Sequence, residues 1–458
     1  MISCLLIFVA TALTVQAQKT FEVKNLSGDA SNGSLIAAIN QANEAQGASA
    51  EKPHLIQFAS GLAGEIVLSE NLPAIKNHIQ IAGRLVEGKP AIGINGSVNP
   101  AINEGLKGGI SPGFRTFVIE SGKTVTLEGL TIAASNHSGI TNMGNLTVKN
   151  CIFSKNLGAG SINGTGGGIQ NEGGNLTVIG CLFDYNTGGI GGTDGGVGFG
   201  GGGGINLVSG NAIVLQSTFI DNEGGFGGVG VGSVGGAGAI SVVSGSLSVA
   251  NCLIAGNYGG GSIVAGASGG MTMLGGNASL LQSTLCNNMG GAGFGGFGQV
   301  EFCSGGIHVL KGAFTLGGNV FGGNYSGKDE KTDLEKEADG SVRSAGYNVY
   351  GLVKVALNSP GDAAVQDLGT LVQCDADGRF ESNVASGFLP VVSLASGSPA
   401  MGKSNASVMG KENFIPVTAE DSAYAWFESK WNELSALLKQ DLKKVARAAN
   451  PSIGAVEK

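Results

Sequence analysis

The segments Cys151-Ile-Phe-Ser-Lys-Asn156, Cys181-Leu-Phe-Asp-Tyr-Asn186, Ser217-Thr-Phe-Ile-Asp-Asn222, Cys252-Leu-Ile-Ala-Gly-Asn257, Ser283-Thr-Leu-Cys-Asn-Asn288 and Asn319-Val-Phe-Gly-Gly-Asn324 align as six copies of one hexapeptide. Their final asparagines are 30, 36, 35, 31 and 36 residues apart, a period that marks a repeat architecture. Two further series recur in each unit. One opens it at Ile140, Ile169, Ile205, Ile240, Met271 and Ile307, usually just after a Gly pair. The other lies between: Leu146-Thr-Val148, Leu176-Thr-Val178, Ile213-Val-Leu215, Leu247-Ser-Val249, Ser279-Leu-Leu281 and Phe314-Thr-Leu316. Each unit therefore predicts three short strands followed by a Gly-rich loop of varying length.

Three strands cannot bury their inward faces alone. Stacking successive turns at ~4.8 Å into an all-β, right-handed parallel β-helix turns equivalent positions into continuous columns. Phe153, Phe183, Phe219, Ile254, Leu285 and Phe321 form one such column, and Asn156 through Asn324 form an asparagine ladder. Stacked amides hydrogen-bond from rung to rung. A leucine-rich repeat is excluded because the units lack its leucine spacing and its helix. Length variation falls in the Gly loops, such as 187–204 and 223–238, which must project from one corner.

Composition agrees with an exported β scaffold. Of 458 residues 83 are Gly, while only 13% are charged and 6% aromatic. The glycines run in clusters rather than at every third position, which excludes collagen. An apolar fraction of 42% and a net charge of −8 exclude wholesale disorder, and they leave no basic footprint for nucleic acid. Residues 2–17 are apolar and end in Val15-Gln16-Ala17, which predicts a signal peptide over 1–17 cleaved after Ala17; this n-region has no Lys or Arg. Cys4 lies too early for a lipoprotein acceptor. No later stretch offers the ~20 apolar residues of a transmembrane helix.

The expected organisation is a signal peptide over 1–17, a cap with irregular first rungs over 18–135, the Gly-rich repeats over 136–327, and C-terminal rungs with a closing segment over 328–458. Both ends need covering, since an open rung exposes unpaired strand edges. Ser34–Glu44 reads as a helix whose Leu35, Ile36 and Ile39 cover the first rung. Strands are expected near residues 55–58, 65–68, 78–81, 116–119 and 125–127. Residues 418–447 read as an amphipathic helix packed on the solenoid. Thr418 and Asp421 approximate a capping box, and Tyr424, Phe427, Trp431, Leu434 and Leu438 share one face.

The Gly-Gly-Ile strand starts with Phe-x-x-Asn, complete at Phe153/Asn156, Phe183/Asn186, Phe219/Asn222 and Phe321/Asn324, resemble the repeats of chlamydial polymorphic outer membrane proteins and related bacterial surface β-helices. Ile254 and Leu285 replace Phe in two units. Gly33–Ile39, Ile56-Gln-Phe58 and Leu72-Pro-Ala-Ile75 are similar to the N-terminal caps of such proteins. Gly346-Tyr-Asn-Val-Tyr-Gly351, Leu368-Gly-Thr-Leu371, Ser398-Pro-Ala400 and Ile453-Gly-Ala-Val-Glu457 resemble the closing segment called choice-of-anchor Q. The resemblance implies a secreted or cell-surface protein of bacterial outer membrane or extracellular type and no defined reaction. Two departures stand out: no ~10-residue amphipathic strands of a translocating barrel appear, and no sorting anchor follows Glu457.

The pectin lyase-like fold also hosts polysaccharide lyases and glycoside hydrolases, so fold alone does not assign a reaction. Such enzymes need a cross-rung cluster of carboxylates or cations with aromatics. Between residues 138 and 326 the charged residues are Lys149, Lys155, Glu172, Asp184, Asp194, Asp221, Glu223, Glu301 and Lys311. Asp184 sits two before its ladder Asn and Asp221 one before, so as a dyad they are expected to point differently. Arg84, Arg115 and the C-terminal segment are where a cluster remains to be found. His308 should face outward if Ile307 faces inward, and reads as an exposed strand histidine. Gly192-Thr-Asp-Gly-Gly196 resembles a single calcium nonapeptide, too little for an array. The Gly runs lack the Gly-Lys-Ser/Thr ending of a phosphate loop. Cys151, Cys181 and Cys252 share one repeat position with Ser217, Ser283 and Asn319; a Cys151–Cys181 disulfide and a buried thiol column both fit. Cys286, Cys303 and Cys374 follow no metal-like spacing. No catalytic, cofactor or metal residue is assigned and no cofactor is expected. The favoured reading is a monomeric, non-catalytic, adhesin-like scaffold that contacts a glycan, a host surface or an envelope component. The alternative is a carbohydrate-active enzyme on the same fold.

Overall fold

The computed structural model describes residues 18–97, 115–293, 301–327 and 330–365, and further on 382–383, 389–392, 394, 396, 398–441, 446–447, 452 and 454. The expected signal peptide, Cys374 and Leu368–Leu371 lie outside the described residues, as does most of Ile453–Glu457.

The chain winds as a parallel β-helix. In the unit opened by Ile140 the strands are Ile140–Asn142, Asn145–Lys149 and Ile152–Ser154. The first two belong to a 17-stranded sheet and the third to an 11-stranded one. Pairing between units is parallel: Ile140 meets Ile169, then Ile205, Ile240, Met271, Ile307 and Leu334 follow in register. The Phe153, Phe183 and Phe219 rings stack with centroids 4.6 Å apart and planes within 4° of parallel. Every member of this column is fully buried.

The asparagine ladder forms as the repeat requires. Asn156, Asn186, Asn222, Asn257 and Asn288 each donate Nδ2–H to the Oδ1 of the next Asn at 2.8–2.9 Å, and each backbone N–H donates to the same oxygen. Asn324 ends the run on Asp333 Oδ1 at 2.7 Å. A shorter ladder runs from Asn319 to Asn348 and ends on Asp362 Oδ1. An ionised carboxylate accepts but has no proton to pass on, so Asp closes both ladders.

The cysteine position follows the same logic. Cys151 N–H points at Cys181 Sγ, Cys181 N–H at Ser217 Oγ, Cys252 N–H at Ser283 Oγ, and Ser283 N–H at Asn319 Oδ1. The position calls for a small acceptor under the preceding rung, which explains why Cys, Ser and Asn exchange there. Cys151, Cys181, Cys252 and Cys303 are free thiols, buried like Cys286. Burial pushes the Cys252 thiol up to about 12.

One register differs from the sequence expectation. Ala212, not Ile213, aligns with Leu176 and Leu247, and Ala278, not Ser279, aligns with Leu247 and Phe314. Ile213, Leu215 and Leu281 therefore face away from the solenoid interior, yet all are fully buried. They form a second core with Val408, Phe414, Phe427, Leu434 and Leu438 of the C-terminal segment. The outward apolar residues are the seat of the C-terminal helix.

That helix spans Tyr424–Leu438, shorter than the expected 418–447. Ala423 is its N-cap without a side-chain bond, and the Asp421 carboxylate accepts from Ala423 N–H before the helix starts. The apolar spacing ends at Leu438, and Gln440 pairs antiparallel with Ala446 instead of continuing the helix. At the other end, the helix Leu35–Glu44 covers the first rung with Leu35, Ile36 and Ile39, and Ser34 Oγ caps it by accepting from Ala37 N–H. Among the described residues no helix is long and apolar enough to cross a membrane.

The Gly-rich loops are not slack. Gly188 and Gly191 N–H donate to Glu223 and Phe226 carbonyls of the next unit, and Gly224 and Gly227 N–H donate likewise to Tyr258 and Gly261. Gly189 and Gly192 N–H turn to Thr165 and Ile162 of the previous unit. Partners thus repeat every three residues, the period of an extended three-fold helix that has no internal hydrogen bonds of its own. Outgoing and returning runs interlock into a slab whose backbone groups satisfy one another.

Candidate functional site

The third strand of each unit ends in a turn that lowers the next Asn into the ladder. The turn residue is left-handed at Lys155, Tyr185, Asp221, Gly256 and Asn287, with φ between 50° and 65°. Gly, Asn and Asp suit that conformation, whereas a bulky side chain is strained there. Lys155 and Tyr185 are the two that do not suit it, and Tyr185 is 56% exposed. Strain kept on an exposed aromatic is a functional signal.

Around Tyr185 the structure gathers other groups. Asp184 ends the strand Leu182–Asp184 on the outward side, and Asp221 occupies the position of Tyr185 one unit on. Burial raises the Asp184 carboxyl above its ordinary value and the charge of Asp221 adds to this, against Ser154 and Lys155. Asp184 Oδ1 is buried without a hydrogen-bond partner among the described residues. Burial also raises Asp221, partly offset by a hydrogen bond from the Tyr185 phenol. The charge of Asp221 in turn holds the Tyr185 phenol above its usual value. Two residues further along the turn, Glu223, Tyr258, Met289 and Tyr325 stack in one column on consecutive units. Tyr258 and Met289 are exposed and Tyr325 half-buried. The carboxylates and the aromatics thus share one face across several rungs. Residue charge alone did not reveal this face; the signal in the sequence is Tyr at a turn position that otherwise takes Lys, Asp, Gly or Asn.

Asp184 should be a site of negative cost to replace. Its folded-state pKa is raised, so its contribution to stability is present below the unfolded value near 4 and is lost as pH rises through the folded one. Asp184→Asn is therefore expected to raise Tm at pH 7, and the gain should vanish when melting is repeated below pH about 4.

His308 faces outward from the strand Ile307–Val309, as expected, but it is only 3% exposed. Cys303 Sγ and the carboxylates of Glu335 and Glu337 lie beside its ring. It lines a cleft of about 560 Å³ with Phe302, Cys303, Glu335, Glu337 and Lys354. Its Nε2 lies 3.3 Å from Glu337 Oε1 and 4.0 Å from Glu335 Oε1. Burial works against charge on the ring, but hydrogen bonding to Cys303 and Glu337 and the charge of Glu335 outweigh it and push His308 up to about 10. The bond from His308 holds Glu337 below its ordinary value. Lys354 Nζ donates to Glu335 Oε2 at 3.1 Å. The C-terminal segment therefore does supply a cross-rung charged cluster. Asp194 is a loop residue by contrast, its Oδ1 accepting from Gly196 N–H in the slab tip.

No family model matches this sequence, neither one of polymorphic outer membrane repeats nor one of choice-of-anchor Q segments, and no curated protein matches it. Among solved structures the chain is similar to the crystal structure of pectate lyase Pel9A, with 14% sequence identity over 97% of this chain and 98% of that one, at a TM-score of 0.41. The fold assignment rests on the strand register described above.

Proposed function

We propose that the protein is an extracellular, adhesin-like scaffold that binds a glycan along the face of Tyr185, Tyr258, Met289 and Tyr325. The observation that carries this reading is the exposed, left-handed Tyr185 held beside the two carboxyls of Asp184 and Asp221. Aromatic rings offer a flat apolar surface to a sugar ring, and carboxylates accept from its hydroxyls. Repetition of the face on rungs ~4.8 Å apart suits a polymeric ligand that is engaged at several points. Export by the segment 1–17 and residence at a bacterial surface are part of the same proposal.

A second reading has its own support. Asp184 and Asp221 are carboxyls on adjacent rungs, both raised by burial, and a raised carboxyl beside a second one is the starting arrangement for glycoside hydrolysis. One experiment separates the two. The purified chain is mixed with neutral and uronate-rich polysaccharides, with binding read by calorimetry and products by reducing-end assay. The scaffold reading expects binding without product and a roughly five- to tenfold weaker Kd in Tyr258→Ala, the size of one aromatic contact. Tyr185→Gly should weaken binding while raising Tm, because glycine relieves the turn. Product release abolished by Asp184→Asn would replace the scaffold by the hydrolase. No binding to either class would end both.

A further inference from the structure

His308 interrupts a pattern on the outward side of the first strands. At Gln170, Ser241 and Thr272 the outward side chain accepts a hydrogen bond from the backbone N–H four residues earlier, each at 2.8 Å. The equivalent donor for His308 is Ser304 N–H. That donor instead reaches Glu335 Oε1 of the next unit, at 2.6 Å. His308 Nδ1 is left buried with no hydrogen-bond partner among the described residues. Gln170, Ser241 and Thr272 take the local donor, whereas Asn206 in the same column instead donates Nδ2–H to Gln170 Oε1 and the Gly164 carbonyl.

We propose that Cys303, His308 and Glu335 form a binding site for one divalent transition-metal ion, with zinc as the best match to the donors. Cys303 Sγ, a ring nitrogen of His308 and a carboxylate oxygen of Glu335 lie within 4.8 Å of one another. A tetrahedral zinc ion with ~2.0–2.3 Å bonds holds its donors roughly 3.3–3.8 Å apart, so side-chain adjustments of about 1 Å close the set. His308 and Glu335 are direct partners in the parallel register, which fixes two ligands on adjacent rungs. Glu337 beside Nε2 and Lys354 on Glu335 Oε2 orient ligands in the way outer partners do at metal sites. A sulfur, nitrogen and oxygen set selects zinc over calcium or magnesium, which take oxygen donors. All three donors line the cleft.

Metal ligands bind deprotonated, so affinity should fall as pH falls; in the metal-free chain the Cys303 thiol donates to the Gly266 carbonyl. The site stands whether or not the tyrosine face binds glycan.

The test titrates the chelator-treated full chain with zinc by calorimetry and with cobalt(II) by absorption. One equivalent of zinc is expected, with a thiolate-to-cobalt charge-transfer band. Cys303→Ser and His308→Gln should each weaken zinc by at least about a hundredfold, more than the 10–100-fold typical of an outer partner. Cys303→Ser should also lose the cobalt band, while Cys151→Ser, in the distant thiol column, should change neither. Absence of stoichiometric binding, a cobalt spectrum without the thiolate band, or unchanged affinity in His308→Gln would each overturn the site. If Cys303→Ser does not fold, His308→Gln decides.

Discussion

Asn222→Ala is expected to lower the unfolding free energy by about 3–5 kcal/mol, measured as a shift of the urea midpoint at unchanged slope. Asn222 is fully buried in the middle of the ladder. Its Oδ1 accepts from both N–H and Nδ2–H of Asn186, and its Nδ2 donates to the Phe183 carbonyl and to Asn257 Oδ1. Alanine leaves the Asn186 backbone donor with no partner and takes one bond each from three other groups. A buried unmet polar group costs ~1–3 kcal/mol, and Asn222 is fully buried. The cavity left by the amide adds to the loss. In a solenoid each unit contacts only its neighbours, so a break at the centre uncouples the units on either side. The Asn324 end differs, because Asp333 already ends the chain of donors there. A loss below about 1 kcal/mol would mean that solvent replaces the amide and that the ladder is not a core element.

How far the sequence discloses this molecule depends on whether an interaction leaves a side-chain signature. The phenylalanine column and the asparagine ladder are legible because stacking in register demands like residues at like positions. The middle strand misleads at Ile213 and Ser279. Apolar residues normally mark the inward face, but Ile213, Leu215 and Leu281 are outward ones covered by a helix more than a hundred residues later. The start of that helix is blurred for a related reason: Asp421 bonds just ahead of it rather than capping it. His308 is read correctly as outward and wrongly as exposed, since strand alternation says nothing about what lies over the face. Its partners Cys303, Glu335 and Glu337 have no spacing that marks them, because their proximity comes from rung stacking. Tyr185 is legible only after the turn is known to be left-handed. The Gly loops are visible as composition and nothing more, for their order resides in backbone bonds that every residue type carries.

Gly236→Ala should disorder the glycine slab while leaving the ladder standing. The backbone at Gly236 is not left-handed, so alanine is conformationally acceptable, and at an open site the change stabilises by about 0.4–1 kcal/mol through the unfolded chain. Here the added Cβ would lie 1.9 Å from the Gly201 carbonyl oxygen and 2.5 Å from its carbon. Both are backbone atoms that no rotamer change moves aside, so the runs must separate by more than 1 Å, on the scale of van der Waals contact. Separation strains the bond from Gly236 N–H to Gly225 O and that from Gly260 N–H to Gly236 O, both 2.8 Å. Because Gly225 would clash with Gly189 and Gly260 with Gly225 in the same way, the slab is one close-packed lattice and the damage spreads along it. Hydrogen exchange is the measurement: amides of residues 188–204, 224–239 and 259–269 should lose protection by tenfold or more, equivalent to ~1.4 kcal/mol or more of local opening. Ladder amides such as those of Asn186 and Asn222 should retain theirs. Gly160→Ala is the control, because its Cβ would meet only the Thr193 methyl at 3.1 Å and the Ile190 carbonyl at 3.6 Å, and it should leave exchange unchanged. Equal protection in Gly236→Ala would show that the runs are loosely associated, and the glycines would then need an explanation other than close backbone packing.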